Sequence, residues 1–213
     1  MPDGVDSGAD SHGEVFLSGI DVSKKLGAVC AGVFPRTIEN LISMVQDNLS
    51  ESQGEYKIRF HPRNYQSSVF IGTVWAYDNS AEIFYDMDRN KCWRRFIVTK
   101  EICHLLFAPF GEKHLASTPE QIESLINKIL AGIEKVNFSD RIASTEQSTI
   151  YMALEILLPH SERANVKKML ADGKAELDIA KAYLLPVQFL KIYLSEDYAS
   201  LMDKAYQVAD RRV

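Results

Sequence analysis

Length, composition and charge place this chain among ordinary globular proteins. Its 213 residues are 46% hydrophobic and 25% charged, which is enough apolar material to bury a core as one domain, or as one domain with a small appendage. The formal net charge of -5 argues against a broad phosphate-binding surface, although it leaves room for a local basic patch such as Arg94 and Arg95. Nucleic acid is therefore not the expected partner.

The N-terminus and the cysteines bear on the compartment. Residues 1–15 are acidic and rich in Gly, Ser and Asp, and they lack the basic start and apolar core of a signal peptide, so we expect a disordered tail. The chain has three cysteines, Cys30, Cys92 and Cys103. An odd number of widely spaced cysteines fits neither a disulfide framework nor a zinc ribbon. No apolar run approaches the roughly 20 residues that span a bilayer. These features predict a cytoplasmic protein with reduced thiols and no membrane insertion.

Apolar spacing predicts a helix followed by a small sheet. In PRTIENLISMVQDNL, apolar residues recur at i, i+3, i+4, i+7 and i+11, which forms one face of a helix. Three stretches rich in β-branched and aromatic residues follow, YKIRFH, SSVFIGTVWAYD and AEIFYDMD, and DNS between the last two is typical of a hairpin turn. We expect a small antiparallel sheet between Tyr56 and Asp88. The helical face comprises Ile38, Leu41, Ile42, Val45 and Leu49.

From Arg94 onward the pattern predicts helices. The segment RRFIVTKEICHLL has helical spacing, and Pro109 and Gly111 end it. A second helix is expected from TPEQ, where Thr118 can cap and Pro119 suits the first helical position.

Further helices are predicted to follow from start and stop signals. STEQ (144–147) repeats the start signal and opens a helix that runs through Glu155 and stops before Pro159. The last third is predicted to be helical, with a stop at Gly173, a break near Pro186 and a terminal helix after it.

The segment KEICH (100–104) contains the clearest candidate metal-binding and catalytic side chains in the sequence. On a helix, Lys100 and His104 lie one turn apart on the same face, and Glu101 and His104 adjoin at i and i+3. A zinc peptidase helix has histidines at both ends of such a segment, and the glutamate between them activates a metal-bound water. Here a lysine stands in the place of the first histidine. A protonated lysine is a poor ligand and brings positive charge to the place of the cation.

The order of the motifs resembles the ImmA/IrrE-like zinc metallopeptidases. The strand AEIFYDMD, the segment RRFIVTKEICHLL and a later helix that ends in ALEILLP follow one another as they do in that family. The resemblance extends by order of elements from about Ile38 to Leu194, but its sharp motifs are two short blocks. It implies an α+β fold in which a small sheet packs on a helical, zincin-like body. The expected organisation is a tail (1–15), a degenerate metallopeptidase-like domain (16–160) and a C-terminal helical extension packed on it (161–213).

The resemblance also assigns roles to the residues of this segment. Arg95 and Phe96 match the approach to the family's zinc-binding helix. Glu101 matches the general base, and His104 matches the second metal ligand. Lys100 replaces the first ligand.

The family's acidic ligand is also replaced. Counting back from Pro159 places it at Ser148, where a hydroxyl stands instead of a carboxylate. Glu146 is turned about 200° away around the helix and is expected to face the opposite side, whereas Glu155 shares the face of Ser148 about 10 Å further along. The former cleft is the name we give to the expected site, lined by Lys100, Glu101, His104, Ser148, Tyr151 and Glu155.

Two missing ligands predict a site without metal and a chain without peptidase activity, because a catalytic zinc needs three protein ligands and a water. Lys100 could then pair with Glu101 or Glu155. No cofactor is expected, and the former cleft would bind a regulatory or effector protein by strand addition.

The alternative is an active zinc endopeptidase that recruits His114, Cys103 or another acidic side chain as ligand. The resemblance implies a DNA-binding repressor as its substrate, and a bacterial or phage context. DNA binding through the helices around Pro186 has less support, since the second helix offers Gln188 and Lys191 but no arginine to grip guanine.

Overall fold

The computed structural model describes residues 20–30, 33–65, 72–107 and 141–211, which contain eight α-helices and three strands. The α+β prediction is confirmed. None of the described helices is long and apolar enough to cross a membrane. In chain order the elements are α1 (20–30), α2 (Ile38–Gln53), β1 (Lys57–Arg63), β2 (Gly72–Tyr77), β3 (Ser80–Asp86), α3 (Lys91–Phe107), α4 (Arg141–Leu157), a 3-10 turn (His160–Glu162), α5 (Arg163–Ala171), α6 (Glu176–Ala182), α7 (Val187–Leu194) and α8 (Glu196–Asp210).

The sheet has the strand order β1-β3-β2 and is mixed. β2 and β3 are antiparallel and are joined by the expected turn, with Tyr77 opposite Ser80. β1 pairs with β3 in parallel, with Lys57 opposite Ser80, so the expectation of a wholly antiparallel sheet is wrong for this pair. A hairpin turn fixes the direction of only the two strands that it joins. β1 pairs with β3, which follows β2 in the sequence, and no local sequence signal predicts this pairing.

The inner face of the sheet packs against α3. Val74 and Ile83 are buried there, and α3 contacts both β2 and β3. Gly72 makes the close approach possible, because a Cβ at this position would lie 2.4 Å from Ile97 Cγ2 and 3.3 Å from Glu101 Oε1. The start of β2 therefore lies directly against the part of α3 that carries the KEICH segment.

The helix signals were partly right. The predicted stripe of α2 is buried at Leu41, Val45 and Leu49. α3 begins at Lys91, three residues before the predicted start, because the side chain of Asn90 accepts a hydrogen bond from the N–H of Trp93 at 3.1 Å and caps the helix.

One further helix starts earlier than the sequence predicts, and another predicted helix cannot be compared with the structure. α4 is helical from Arg141, before the predicted STEQ start. The helix expected from Thr118, its preceding stop at Pro109 and Gly111, and His114 lie outside the described residues.

The C-terminal helices follow their predicted breaks and pack on the rest. α5 ends at Ala171 before Gly173, whose φ of 86° suits glycine, and Pro186 separates α6 from α7. Arg95 donates to Tyr183 O at 2.9 Å and to Arg36 O at 2.7 Å. Burial lowers the pKa of Arg95 to about 10. One guanidinium therefore ties α3 to the chain before α2 and to the α6–α7 connection.

Candidate functional site

The KEICH residues lie in the middle of α3 and face α4. Lys100, Glu101 and His104 come from α3, and Glu146 comes from the first turns of α4; we call these four residues the Lys100 cluster. Their side chains are 13%, 3%, 2% and 11% exposed, in that order. Four ionisable groups thus meet at a helix–helix interface that is almost closed to water.

The ammonium of Lys100 lies at the centre of this cluster. Its Nζ donates to Glu146 Oε2 at 2.8 Å, and it lies 3.1 Å from Glu101 Oε1 and 3.4 Å from His104 Nε2. Glu146 Oε1 is in turn 3.1 Å from His104 Nε2. Two carboxylates and one imidazole therefore surround a single positive charge, which is the environment that a protein metal site offers to a cation.

Electrostatics keeps the central ion pair charged. Burial alone would lower the pKa of Lys100, but the carboxylates of Glu101 and Glu146 outweigh it and raise this pKa above its usual range. Burial would raise the pKa of Glu146, but its electrostatic and hydrogen-bond interactions with Lys100 and His104 outweigh burial and hold this pKa well below its usual range. The cluster therefore contains a buried ammonium and a buried carboxylate that stabilise each other.

The expectation that Glu146 faces away from the site is wrong. Its carboxylate, and not the Ser148 position, reaches Lys100 and His104. Counting back from Pro159 identifies a sequence position, but it does not show which side of α4 faces α3. The rotation of a helix about its axis is set by how it packs on its neighbour. Residues 148–157 are all buried, so this stretch of α4 has no exposed polar face that would mark the rotation.

The other residues predicted to line the former cleft have different neighbours. Ser148 is buried within α4. The hydroxyl of Tyr151 accepts a hydrogen bond from Gln147 Nε2 at 3.1 Å, and its ring meets the ring of Tyr198 edge-on at 5.4 Å. Of the two partners predicted for Lys100, the structure shows Glu101. The other, Glu155, belongs to a separate group. The structure thus divides the predicted site in two.

Glu155 is the centre of the second group. It accepts hydrogen bonds from His160 N–H at 2.9 Å, Tyr206 OH at 2.5 Å and Ser23 Oγ at 3.2 Å. Burial raises its pKa to about 7, although these donors oppose the shift. The Glu155 cluster, defined as these four residues, ties α1, α4, the 3-10 turn and α8 together. Sequence reasoning missed it, since Ser23 and Glu155 are 132 positions apart.

The Lys100 cluster as it stands does not fit a zinc ion. Glu101, Glu146 and His104 are of kinds that can bind zinc, but each of them lies against the ammonium of Lys100. Within the described ranges, no three His, Cys, Asp or Glu side chains are grouped to hold a metal ion. Cys103 is fully buried, and burial raises the pKa of its thiol, which opposes the thiolate that a metal ligand requires.

Two buried atoms of the cluster lack a hydrogen-bond partner among the described residues. These are His104 Nδ1 and Glu101 Oε1. Glu101 Oε1 is compensated by the nearby ammonium, although their geometry is not that of a hydrogen bond. A zinc-binding histidine donates its second ring nitrogen to an acceptor that orients it, and His104 shows no such partner here.

Comparisons of the chain with protein-family models, with curated proteins and with solved structures found no match. The resemblance to the ImmA/IrrE-like metallopeptidases therefore stays a prediction that rests on the two short motifs.

Proposed function

We propose that this chain is a catalytically inactive relative of the ImmA/IrrE-like metallopeptidases that acts as a protein-binding or regulatory module in the cytoplasm. The observation that carries the proposal is the ammonium of Lys100, which lies 2.8 Å from Glu146, 3.1 Å from Glu101 and 3.4 Å from His104. A positive charge fixed to the chain occupies the place that the resemblance assigns to an exchangeable metal ion.

Lysine supplies the structural part of a metal ion's role without the catalytic part. Its charge neutralises two buried carboxylates, which would otherwise oppose folding. An ammonium has no open coordination position, so it cannot bind and ionise a water molecule or polarise a peptide carbonyl as catalytic zinc does. Glu101, the residue matched to the general base, is held in an ion pair with this ammonium.

The edge of the sheet supplies a surface for a protein partner. Among the described strands, β2 is an outer strand next to α3, and its Gly72 lies against Glu101. An outer strand presents backbone N–H and C=O groups that an extended segment can join. This favours a partner that adds a strand beside the Lys100 cluster, a mode of binding that needs no metal ion.

Capture of partners from the native cell tests this function. The tagged protein is immobilised, and capture is compared with and without EDTA, and between the natural chain and a Glu101→Gln variant. The proposal expects the same intact partner in all cases. A partner that is lost with EDTA, or that is cleaved by the natural chain and intact with Glu101→Gln, would show a metal-dependent peptidase instead.

One observation favours the alternative of an active zinc endopeptidase that cleaves a DNA-binding repressor. Glu146 brings a carboxylate to His104, so an acidic ligand is available where the sequence indicated none. This function requires Lys100 to leave the centre of the cluster when zinc binds. Added zinc would then produce cleavage of a captured DNA-binding partner, and Glu101→Gln would abolish the cleavage.

A further inference from the structure

The face of the sheet turned away from α3, here called the outer face, carries a row of cations on β1. Side chains alternate along a strand, so Lys57, Arg59 and Arg63 share this face, whereas Ile58 points to the core. The side chains of Lys57 and Arg59 are 56% and 55% exposed. Residues two apart on a strand are about 6.7 Å apart, so Lys57 and Arg59 are neighbours on this face, whereas Arg59 and Arg63 are about 13 Å apart with His61 between them.

Aromatic rings occupy the same face of the other two strands. Trp75 and Tyr77 on β2 are 55% and 51% exposed, which is unusual for side chains of this size. Phe84 on β3 lies between the strands, with its ring 4.8 Å from Trp75 and the Arg63 guanidinium 5.5 Å above it. The face therefore offers ring surfaces to solvent instead of packing them in the core.

The strand register aligns the two rows. Lys57 and Tyr77 are both opposite Ser80, and Arg59 and Trp75 are both opposite the next outward-facing residue of β3. Adjacent strands are about 4.8 Å apart, so the cations and the rings form two parallel rows about 10 Å apart. Each cation of these two pairs has an aromatic ring across the sheet from it.

Carboxylates on and beside the outer face limit its positive charge. Glu82 is 3.7 Å from Arg59 and 3.5 Å from His61 Nε2, and Glu55 pairs with Lys57 at 2.9 Å near the edge. Pairs this exposed are weak, because water screens them.

Asp86, which is opposite Arg63 on the same face, is buried and pairs with Arg89 at 3.1 Å. Counting Arg89 with the three cations of β1, four cations meet the three carboxylates of Glu55, Glu82 and Asp86, so the outer face has a small local excess of positive charge.

We propose that the outer face binds single-stranded nucleic acid, with phosphates along the cations of β1 and bases stacked on Trp75 and Tyr77. A sheet whose exposed aromatic side chains stack bases beside a basic track is a recurring mode of single-strand recognition. An acidic peptide would form ion pairs with the cations, but its carboxylates would not stack on the rings of Trp75 and Tyr77. A duplex keeps its bases stacked inside, away from the rings. This inference is independent of the function proposed for the former cleft.

Fluorescence anisotropy with a labelled oligothymidylate of about 12 nucleotides tests the proposal, since single-strand sites of this kind span roughly 4–16 nucleotides. The competitors are a duplex of the same length and polyglutamate. We expect saturable binding of the single strand and a salt slope of about -2, from three phosphate contacts at about 0.7 each. No saturable binding, or equal binding of duplex or polyglutamate, would overturn the proposal.

Variants separate the outer face from general charge. Trp75→Ala should weaken binding by about fivefold or more, and Arg59→Ala should reduce the salt slope by about 0.7. The controls Leu177→Ala and Arg94→Ala remove an exposed apolar side chain from α6 and an exposed arginine from α3, and should leave binding unchanged. Unchanged thermal unfolding confirms that each variant is folded. If the two face variants bind like the controls, this face is not the site.

Stacking also has a direct optical signature. The chain has two tryptophans, so Trp93→Phe leaves Trp75 as the single reporter. Oligothymidylate should then quench its fluorescence in parallel with the anisotropy change. Binding without any change in Trp75 emission would place the nucleic acid elsewhere and contradict the proposal.

Discussion

Lys100 Nζ donates a 2.8 Å hydrogen bond to Glu146 Oε2 across the α3–α4 interface and joins residues 46 positions apart in the chain. The bond places a positive charge between the groups that the sequence marks as remnants of a metal site. The stability of the cluster, its response to pH and its capacity for metal all follow from this relationship.

Removal of the ammonium should destabilise the protein strongly. Lys100→Met leaves the carboxylates of Glu101 and Glu146 buried without their cation, so we expect the free energy of unfolding to fall by about 3–5 kcal/mol, as for other broken buried pairs. Urea unfolding followed by circular dichroism measures the change. Lys91→Met, at the exposed start of α3, is the matched control and should change stability by less than about 0.5 kcal/mol.

A double variant tests whether the loss comes from the unpaired charge. Adding Glu146→Gln to Lys100→Met removes one of the two abandoned carboxylates, so it should recover part of the loss. If the two changes simply add, the two side chains do not act as a pair, and the electrostatic account of the cluster is wrong.

One substitution should restore zinc binding. Lys100→His removes the ammonium and places an imidazole one turn before His104, beside the carboxylate of Glu146, which would complete two histidines and one glutamate. Zinc affinity, measured by competition with a chromophoric chelator, should rise well above that of the natural chain and of Lys100→Met. Adding Ser148→Glu should bring little further gain. An affinity that rises only when Ser148→Glu is present would mean that the α3–α4 packing described above is wrong.

The Glu155 cluster should make stability fall as the pH rises. Burial raises the pKa of Glu155 to about 7 from an ordinary value near 4.5, so between these two values the folded state holds a proton that the unfolded state has released. The contribution is complete below about pH 4.5 and is lost as the pH rises toward 7, with an upper limit of about 3 kcal/mol. Glu155→Gln keeps a neutral side chain and should flatten this part of the curve. Parallel curves for the two proteins between pH 5 and pH 7 (about the window set by these two pKa values) would contradict the assignment.

The Lys100 cluster should show the opposite slope in acid. The pKa of Glu146 is held well below its usual range by Lys100 and His104, after the opposing effect of burial. Its contribution is therefore complete above the unfolded value near 4.5 and is lost as the pH falls through the folded value. Glu146→Gln should be less stable than the natural chain at neutral pH, and the difference should shrink in acid. A difference that stays constant with pH would show that the carboxylate is not charged in the folded state.

The sequence predicts much of the fold where local signals decide it. Gly173 follows the end of α5 and Pro186 immediately precedes α7, as their backbone preferences favour, and the apolar spacing of Leu41 and Val45 marks one buried face. The parallel pairing of β1 with β3 has no local signal, because it depends on a crossing past β2. The structure starts α3 three residues before the predicted position, because the side chain of Asn90 caps the helix at Trp93 N–H.

The site was predictable within one helix but not between helices. The proximity of Lys100, Glu101 and His104 follows from helical spacing alone. The contact with Glu146 does not, because α4 is buried all round from Ser148 to Leu157 and its rotation is set by packing. The link from Ser23 to Glu155 joins distant parts of the chain, and neither residue is unusual by itself.

The metal content of the natural protein tests the central claim most directly. Protein purified without chelator, exposed to zinc and then dialysed, is measured by atomic spectrometry together with the Lys100→His variant. We predict far less than one zinc per chain for the natural protein and close to one for the variant. A natural chain that retains one zinc, and loses it when His104 is changed to alanine, would show that Lys100 does not hold the place of the metal ion.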